Sequence, residues 1–479
     1  MPQALHSSFK RTFEELHRSG LFLHDVVQPG GKRLTLTSVS RTLIGEPGST
    51  YKYLGLRLFS HPWCMPRDEG VKLISDVGYN PECAAALARL GEINRSLIMR
   101  TKSILDEKVV PKISGGLVGS AKFNLTLVNR MEPTTIKQDL KAEKFFGMGK
   151  TSVSWHKDSG LQDFSSIAVY HTIEECARKK KQGEKLMPWR VALRVAEKDI
   201  RTPALSIPLP SGSLYYLCDD FNHKHEHAVL SGSEQIRFSS THRVARDGQG
   251  TWNYISDKYD ATVSAPSIIR NMVNIDQSKI KLKQQQLLKE VRASQKLLTE
   301  IEFEWLRQWY IQGQKHAELH PFWQKPVEKL ISAFEILEEH SVLTVKLCKE
   351  STLNFLPLVT EDLFDVMIEA LEDRMCLRVA WRERLRDPIF QLIPTCQRPF
   401  GCAVLDRETF DDSCQMPENL DRLSADLRRL RVKFLSRSEK MVIGGIAKGK
   451  KRKVSHMTKK EQMKVSSNWE SMKLQMRKK

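Results

Sequence analysis

Thr151-Ser-Val-Ser-Trp-His-Lys-Asp158 is the stretch on which the reading of this chain turns. Thr151 to Trp155 mixes β-branched, small and aromatic residues and reads as a strand. His156 and Asp158 follow at once. On extended backbone residues i and i+2 point to the same side, so one imidazole and one carboxylate can be offered to one metal. A second histidine would complete a two-His-one-carboxylate set, which leaves three coordination positions open and suits iron(II), a bidentate co-substrate and dioxygen. The pair alone arises often by chance, so its weight depends on what lies downstream.

Downstream, the strand Leu214–Cys218 leads into Asp219-Asp220 and then a histidine-rich turn, His223-Lys-His225-Glu-His227. Any of the three histidines could be the third ligand. Ten residues past His227 comes Arg237-Phe-Ser239 in a strand-like run, with Arg243 six residues further on. Arg237 and Ser239 share a face. A guanidinium beside a hydroxyl suits a carboxylate held by charge-assisted hydrogen bonds, such as the distal carboxylate of 2-oxoglutarate. The ordered set of HxD, His, RxS and a second Arg is far less common by accident than any member of it.

Working outward, short β-type runs recur at Ser165–Tyr170, Trp189–Val195, Leu205–Pro208 and Gln235–Ser240, with a helical segment over Pro81–Asp106. Short strands at such spacing predict a sandwich or double-sheet barrel. From about residue 266 to 435 the period becomes helical. Leu330, Phe334 and Leu337 share a face, as do Leu363, Met367, Ala370 and Leu371, and Leu420, Leu423, Leu427 and Leu430. Joined by loops of modest length, such helices predict an antiparallel bundle. The aromatic-rich stretch Glu302–Trp309 is expected at the domain junction. The reading is an α+β chain in three parts: a catalytic domain over 1–262, a helical bundle over 263–435 and a basic, disordered tail over 436–479.

Composition narrows the function class. The 479 residues are 40% apolar, enough for more than one core. No run of 18 apolar residues is present, so no membrane span is expected. Met1 to Leu21 lacks the apolar segment of a secretory leader. Nine scattered cysteines without a CxxC pair fit free thiols in a reducing compartment. The formal charge is +19, and Met441 to Lys479 carries 12 Lys/Arg against 2 Glu. Such charge draws phosphate backbones or anionic membrane surfaces. Lys450-Lys-Arg-Lys453 within it is a nuclear-import candidate.

Longer segments carry a resemblance. Val39-Ser-Arg41 with Leu43-Ile-Gly45, Thr50 to Leu54, Asn124 to Asn129, Phe146 to Lys150 running into Val153 to His156, Arg237 to Val244, and Glu302 to Gln308 all match one pattern. The chain resembles the fat mass and obesity-associated branch of the AlkB-like 2-oxoglutarate dioxygenases, over roughly residues 8 to 435. The resemblance implies a double-stranded β-helix (jelly roll) for the catalytic domain and a helical C-terminal domain. It implies His156, Asp158 and His227 as ligands of iron(II), which favours His227 over His223 and His225. Asn129, Tyr215, Arg237 and Ser239 resemble residues that hold 2-oxoglutarate, with Thr241 and Arg243 near its metal-binding end. Arg41 resembles a residue that hydrogen-bonds the methylated base. Tyr53 and Trp155–His156 lie where the base is sandwiched, and Val39, Tyr51 and Leu54 resemble other pocket residues. Stacking between rings is the expected physics for a flipped base.

The implied activity is oxidative demethylation of methylated bases in single-stranded RNA or DNA, N6-methyladenosine in RNA first, with release of formaldehyde and succinate. The co-substrates are 2-oxoglutarate and dioxygen, with ascorbate as a reductant. The implied location is the nucleus, with the cytoplasm second. Three features depart from the family pattern. Ser159 stands where an acidic residue continues the HxD run, Lys157 sits between two ligands, and the loop Ala177–Lys185 is basic. The chain also begins late for this family, so an N-terminal helical extension is expected to be missing. Two rival classes are a 2-oxoglutarate-dependent protein hydroxylase, which needs no stacking pair, and a non-catalytic nucleic-acid-binding scaffold, which has no use for three ligands together.

Overall fold

The structure, a computed structural model, describes residues 3–27, 34–53, 56–63, 78–107, 119–133, 140–143, 148–174, 187–197, 202–231, 235–246, 251–263, 280–310, 321–354, 358–392 and 420–454. Leu54, the basic loop 177–185, and the tail from residue 455 lie outside this description, as does the side chain of Tyr53. Among the described residues no helix is long and apolar enough to cross a membrane.

The chain opens with helix α1 (Gln3–Arg18), then β1 (Leu23–Val27), β2 (Thr35–Gly45), β3 (Thr50–Tyr53), β4 (Leu56–Phe59) and β5 (His61–Pro62). Helix α2 (Pro81–Glu107) separates these from β6 (Leu125–Met131), β7 (Lys150–His156), β8 (Ile167–Ile173), β9 (Arg190–Val195), β10 (Leu205–Pro208) and β11 (Leu214–Leu217). A single turn, α3 (Phe221–Lys224), precedes β12 (His225–Ser231) and β13 (Arg237–Arg243). The remainder is helical: α4 (Trp252–Val263), α5 (Ile280–Glu300), α6 (Gln324–Asn354), α7 (Glu361–Arg386) and α8 (Leu420–Val454).

Seven strands form one sheet in the order β1-β2-β6-β13-β8-β11, with β5 beside β2, and four form a second in the order β10-β9-β12-β7. All pairs in these two sheets are antiparallel except β2 with β5. Both sheets line one cavity, described below. This is the mixed architecture the strand spacing predicts, antiparallel sheets followed by a helical region.

One face of the large sheet is closed by α1 and α2. Phe9, Phe13 and Leu16 of α1 are fully buried at i, i+4 and i+7 spacing and pack with Leu87, Leu90 and Leu97 of α2 and with Tyr170 and Phe238 of the sheet. Phe9 stacks on Tyr170 at 3.8 Å between ring centroids. Val128, Tyr170 and Phe238 turn to this side, so strand alternation sends their neighbours Asn129, His171, Arg237 and Ser239 to the other. That other face is the cavity side, where these polar residues stand among Val39, Leu127, Met131 and Val169.

The chain divides into two compact units. One comprises Met1–Pro266, Leu297–Glu338 and Leu377–Met416; the other comprises Ser267–Lys296, Glu339–Cys376 and Pro417–Lys479. The stretch Glu302–Trp309 therefore belongs wholly to the first unit. Ile301–Leu306 form a π-helix, and Trp309 packs on β4, where Phe59 meets it and Trp323 of a later turn edge-on at 5.1 Å each. The guanidinium of Arg57 lies 3.9 Å over Trp305 and donates to the Glu304 carbonyl. In the second unit Leu363, Phe364, Met367 and Leu371 of α7 form a core with Leu420 and Leu427 of α8 and Leu287 and Val291 of α5. Helix α8 runs on through Val454. The backbone over 436–454 is thus helical where the charge run suggested an unstructured tail, in keeping with the good helix propensity of Lys, Arg, Met and Ala.

Candidate active site

Strand β7 ends at His156, and β12 lies antiparallel beside it with His227 directly opposite His156. A register irregularity between His227 and Val229 re-aims the end of β12, as bulges near sites do. Asp158 follows β7 by two residues. One ligand atom from each of His156, Asp158 and His227 can be chosen so that all three lie within 4.8 Å of one another. His223 and His225 are elsewhere: His223 packs against Phe164 at 4.8 Å, and His225 stacks on Phe221 at 4.3 Å.

Neighbouring groups fix His156 and Asp158. His156 Nδ1 meets the Ser154 carbonyl at 2.8 Å. A carbonyl only accepts, so Nδ1 carries the proton and Nε2 is left as the ligand atom. That Nε2 lies 3.8 Å from Asp158 Oδ1. Asn222 of α3 holds the Asp158 backbone from both sides. Its amide donates to the Asp158 carbonyl at 2.8 Å, and its Oδ1 accepts the Asp158 N–H at 3.0 Å. Arg243 forks onto the Asp158 carboxylate at 2.7 and 3.2 Å. Burial alone would raise the Asp158 pKa; Arg243, His227 and His156 together outweigh it and hold the carboxyl below its ordinary range. Burial, aided by His156 and Arg243, pushes His227 down to about 4. At neutral pH Asp158 is therefore a carboxylate and His227 a neutral imidazole, the states in which they can ligate a divalent metal.

A cavity of about 430 Å³ opens from this group toward the large sheet. It is lined by His156, Asp158 and His227, by Asn129, Tyr215, Arg237, Ser239, Thr241 and Arg243, and by Val39, Tyr51 and Ser159. The exposed lysines Lys52, Lys141 and Lys157 also line it. Antiparallel register explains the convergence: Asn129 of β6 and His171 of β8 both face Ser239 of β13, with Arg237 next along the same face.

Arg237 is 1% exposed. Its Nε donates to His171 Nδ1 at 2.7 Å, and its Nη1 reaches Ser239 Oγ at 3.2 Å and Met131 Sδ at 3.1 Å. Its Cζ lies 5.6 Å from the centroid of the Trp189 ring. Among the described residues no carboxylate pairs with it, and burial lowers its pKa to about 10. Burial likewise pushes the Tyr215 hydroxyl up to about 12, so it remains a donor. A buried cation without a counter-ion on a cavity wall is costly unless a ligand supplies the charge.

Two expected pocket residues lie elsewhere. Trp155 does not line the cavity; alternation along β7 sends it to the opposite side from His156. There it packs against Ala192, Ala228 and Leu230, with Arg194 4.6 Å above its ring. Arg41 is buried in an ion pair with Asp25 of β1 and is not among the lining residues. The sequence reading missed His171, Asn222, Met131 and Trp189. His171 lies two residues from Val169 on β8, on the same side of the strand, and Val169 lines the cavity.

A facial His/Asp/His group and a buried arginine on one cavity define a 2-oxoglutarate-dependent dioxygenase site. The comparisons agree. Residues 1–246 match the FTO catalytic domain and residues 250–429 the FTO C-terminal domain. The alpha-ketoglutarate-dependent dioxygenase FTO of Xenopus laevis is 34% identical over 423 residues, which covers 83% of this chain and 81% of that one. The chain belongs to the FTO family. Among solved structures, OsALKBH1 is 14% identical with a TM-score of 0.28, covering 50% of this chain and 91% of that one. A dioxygenase for auxin oxidation in rice is 14% identical with a TM-score of 0.26, covering 52% and 71%.

Proposed function

We propose that this dioxygenase is an oxidative demethylase of N-methylated bases in single-stranded nucleic acid, with N6-methyladenosine in RNA as its first substrate. The observation that carries the reading is one cavity holding both the His156/Asp158/His227 group and the uncompensated Arg237. His156, Asp158 and His227 would hold iron(II). With 2-oxoglutarate and dioxygen, the bound iron supplies hydroxylation of an N-methyl C–H bond, after which the N-hydroxymethyl base releases formaldehyde. Arg237, Ser239 and Tyr215 bind the distal carboxylate of 2-oxoglutarate, and Asn129, Thr241 and Arg243 border its path to the metal group. Val39 and Tyr51 wall the cavity and keep water from the reacting carbon. Methylated thymine and uracil are secondary substrates.

Lys52, Lys141 and Lys157 support a polyanionic substrate, since phosphate contacts position a strand over the cavity. A base inside a duplex cannot enter a closed pocket, hence the preference for single strands. Lys450 to Lys453 are assigned to nuclear import, with a second pool in the cytoplasm.

The test incubates the full chain with iron(II), 2-oxoglutarate, ascorbate and single-stranded RNA carrying N6-methyladenosine. The expected result is formaldehyde and succinate in step with loss of the methyl mark. Turnover on peptides alone would replace this reading with a protein hydroxylase. Absence of both turnover and metal binding would leave a nucleic-acid-binding scaffold.

A further inference from the structure

Arg237 is fully buried, yet its Nε proton goes to a neutral acceptor. His171 is 0% exposed and offers Nδ1 at 2.7 Å. The imidazole cannot be a donor there, because the guanidinium has no acceptor atom. Nδ1 is therefore unprotonated and the proton sits on Nε2. The His171 backbone is fixed as well: its N–H donates to the Ser213 carbonyl at 2.9 Å, and its carbonyl accepts the Gly212 N–H at 2.9 Å. Arg237 thus receives orientation without charge compensation. Ser239 Oγ and Met131 Sδ, its other contacts, are neutral too.

Chemistry offers two ways to hold a buried guanidinium. A carboxylate gives the stronger bond and cancels the charge. A neutral acceptor gives a weaker bond and leaves the charge for whatever enters the cavity. From this we infer that His171 is the positioning residue of the co-substrate clamp: as a neutral acceptor it fixes the plane of Arg237 while reserving its positive charge for the distal carboxylate of 2-oxoglutarate. This rests on Arg237 being that clamp. His171 does not line the cavity and touches no ligand position; it acts through Arg237. Burial and Arg237 push its own pKa down to about 2, so the imidazole stays neutral across the working range.

The test uses the manganese(II)-loaded full chain and 2-oxoglutarate, with binding read by calorimetry and thermal melting read in parallel. Asn places an oxygen where Nδ1 stands, so His171→Asn should keep affinity within about twofold of the parent. His171→Leu removes the acceptor and should weaken binding about tenfold, the low end for one hydrogen bond to a charged group. In the iron(II) enzyme it should raise the KM for 2-oxoglutarate and leave kcat at saturation within about twofold. His171→Asp is the decisive variant. If this side chain were merely structural, Asp, the better partner for Arg237, would preserve binding. If it reserves the charge, the melting temperature should stay at or above the parent's while binding falls below that of His171→Leu, because the clamp is neutralised. The role of His171 is overturned if His171→Asp binds as well as His171→Asn, or if His171→Leu binds as the parent does. If His171→Leu does not fold, the Asn and Asp variants still decide. Arg237→Gln separates the two levels. Unchanged binding in that variant removes the clamp itself, whereas weak binding there with parental binding in His171→Leu removes only the role of His171.

Discussion

Arg243→Met isolates the one ion pair that the metal group needs before any metal arrives. Asp158 and Arg243 are 3% and 6% exposed at their side chains and are joined by two hydrogen bonds of 2.7 and 3.2 Å. Removing one partner of a buried pair strands the other, at a cost of about 3–5 kcal/mol. Met fills most of the volume, so the loss is electrostatic. At roughly 1.4 °C per kcal/mol for a unit of about 350 residues, the metal-free melting temperature should fall by roughly 4–7 °C. The pH dependence gives a second readout. The Asp158 carboxyl is held below its ordinary range in the folded chain, so its contribution is present above the unfolded value, about 3.9, and is lost as pH falls through the folded one. The gap between parent and variant should therefore narrow toward acid. Manganese(II) should narrow it at neutral pH, because the ion supplies positive charge beside Asp158. Calorimetric melts of both proteins, with and without manganese(II), measure all of this. A metal-free difference under about 2 °C would show that Arg243 does not hold Asp158 in its charged form.

Other outcomes follow from the same geometry. Asp158→Ala should abolish turnover and manganese(II) binding, checked by assay and calorimetry, since two imidazoles alone hold such a metal weakly. Arg237→Lys should cost about 1.5–3 kcal/mol of 2-oxoglutarate binding, because Lys lacks the planar fork. Trp155→Ala should lower the melting temperature and leave the KM for methylated RNA within about twofold, since the ring packs outside the cavity; a large rise in KM would return it to the pocket. The metal-free chain should lose stability as pH falls from 6.5, because His171, His227 and His242, held at about 2, 4 and 3, stay neutral while the unfolded chain takes up protons. By pH 5 this is about 2 kcal/mol for each, and denaturant titrations at pH 7 and 5 measure it. Deleting residues 441–479 should leave turnover at saturating RNA unchanged. It should flatten the salt dependence of RNA binding, by about 0.7 in slope for each phosphate that the shortened chain no longer neutralises.

The strands were legible because they alternate and are punctuated by turns. Leu205–Pro208 falls where the pattern puts it, and Leu214–Leu217 ends one residue short. The ligand pair was legible because i and i+2 on extended backbone is a local rule. Spacing alone left His223, His225 and His227 open; the choice depends on the pairing of β12 with β7, which is a long-range fact. The same locality misled over Trp155, whose proximity to His156 in sequence is what places it on the opposite face. Arg41 reads as a free donor until Asp25, on another strand, meets it. His171 and Asn222 carry no motif. They matter because of partners 66 and 64 residues away, and separation of that size leaves no trace in a local pattern.

The unit that holds the metal group draws Leu297–Glu338 and Leu377–Met416 from the helical half of the sequence. Trp305, Trp309 and Trp323 come from the first of these, and they cover Arg57 and Phe59 of β4. The dioxygenase body is therefore not a cassette with two ends. A cut after residue 262 would strip aromatic cover from β4 and take the Glu304 carbonyl from the buried Arg57 guanidinium. Recombination that moves the sheets into a new setting must carry the helices too. Any shortening or exchange of the sheets has to keep Leu297–Glu338 with them.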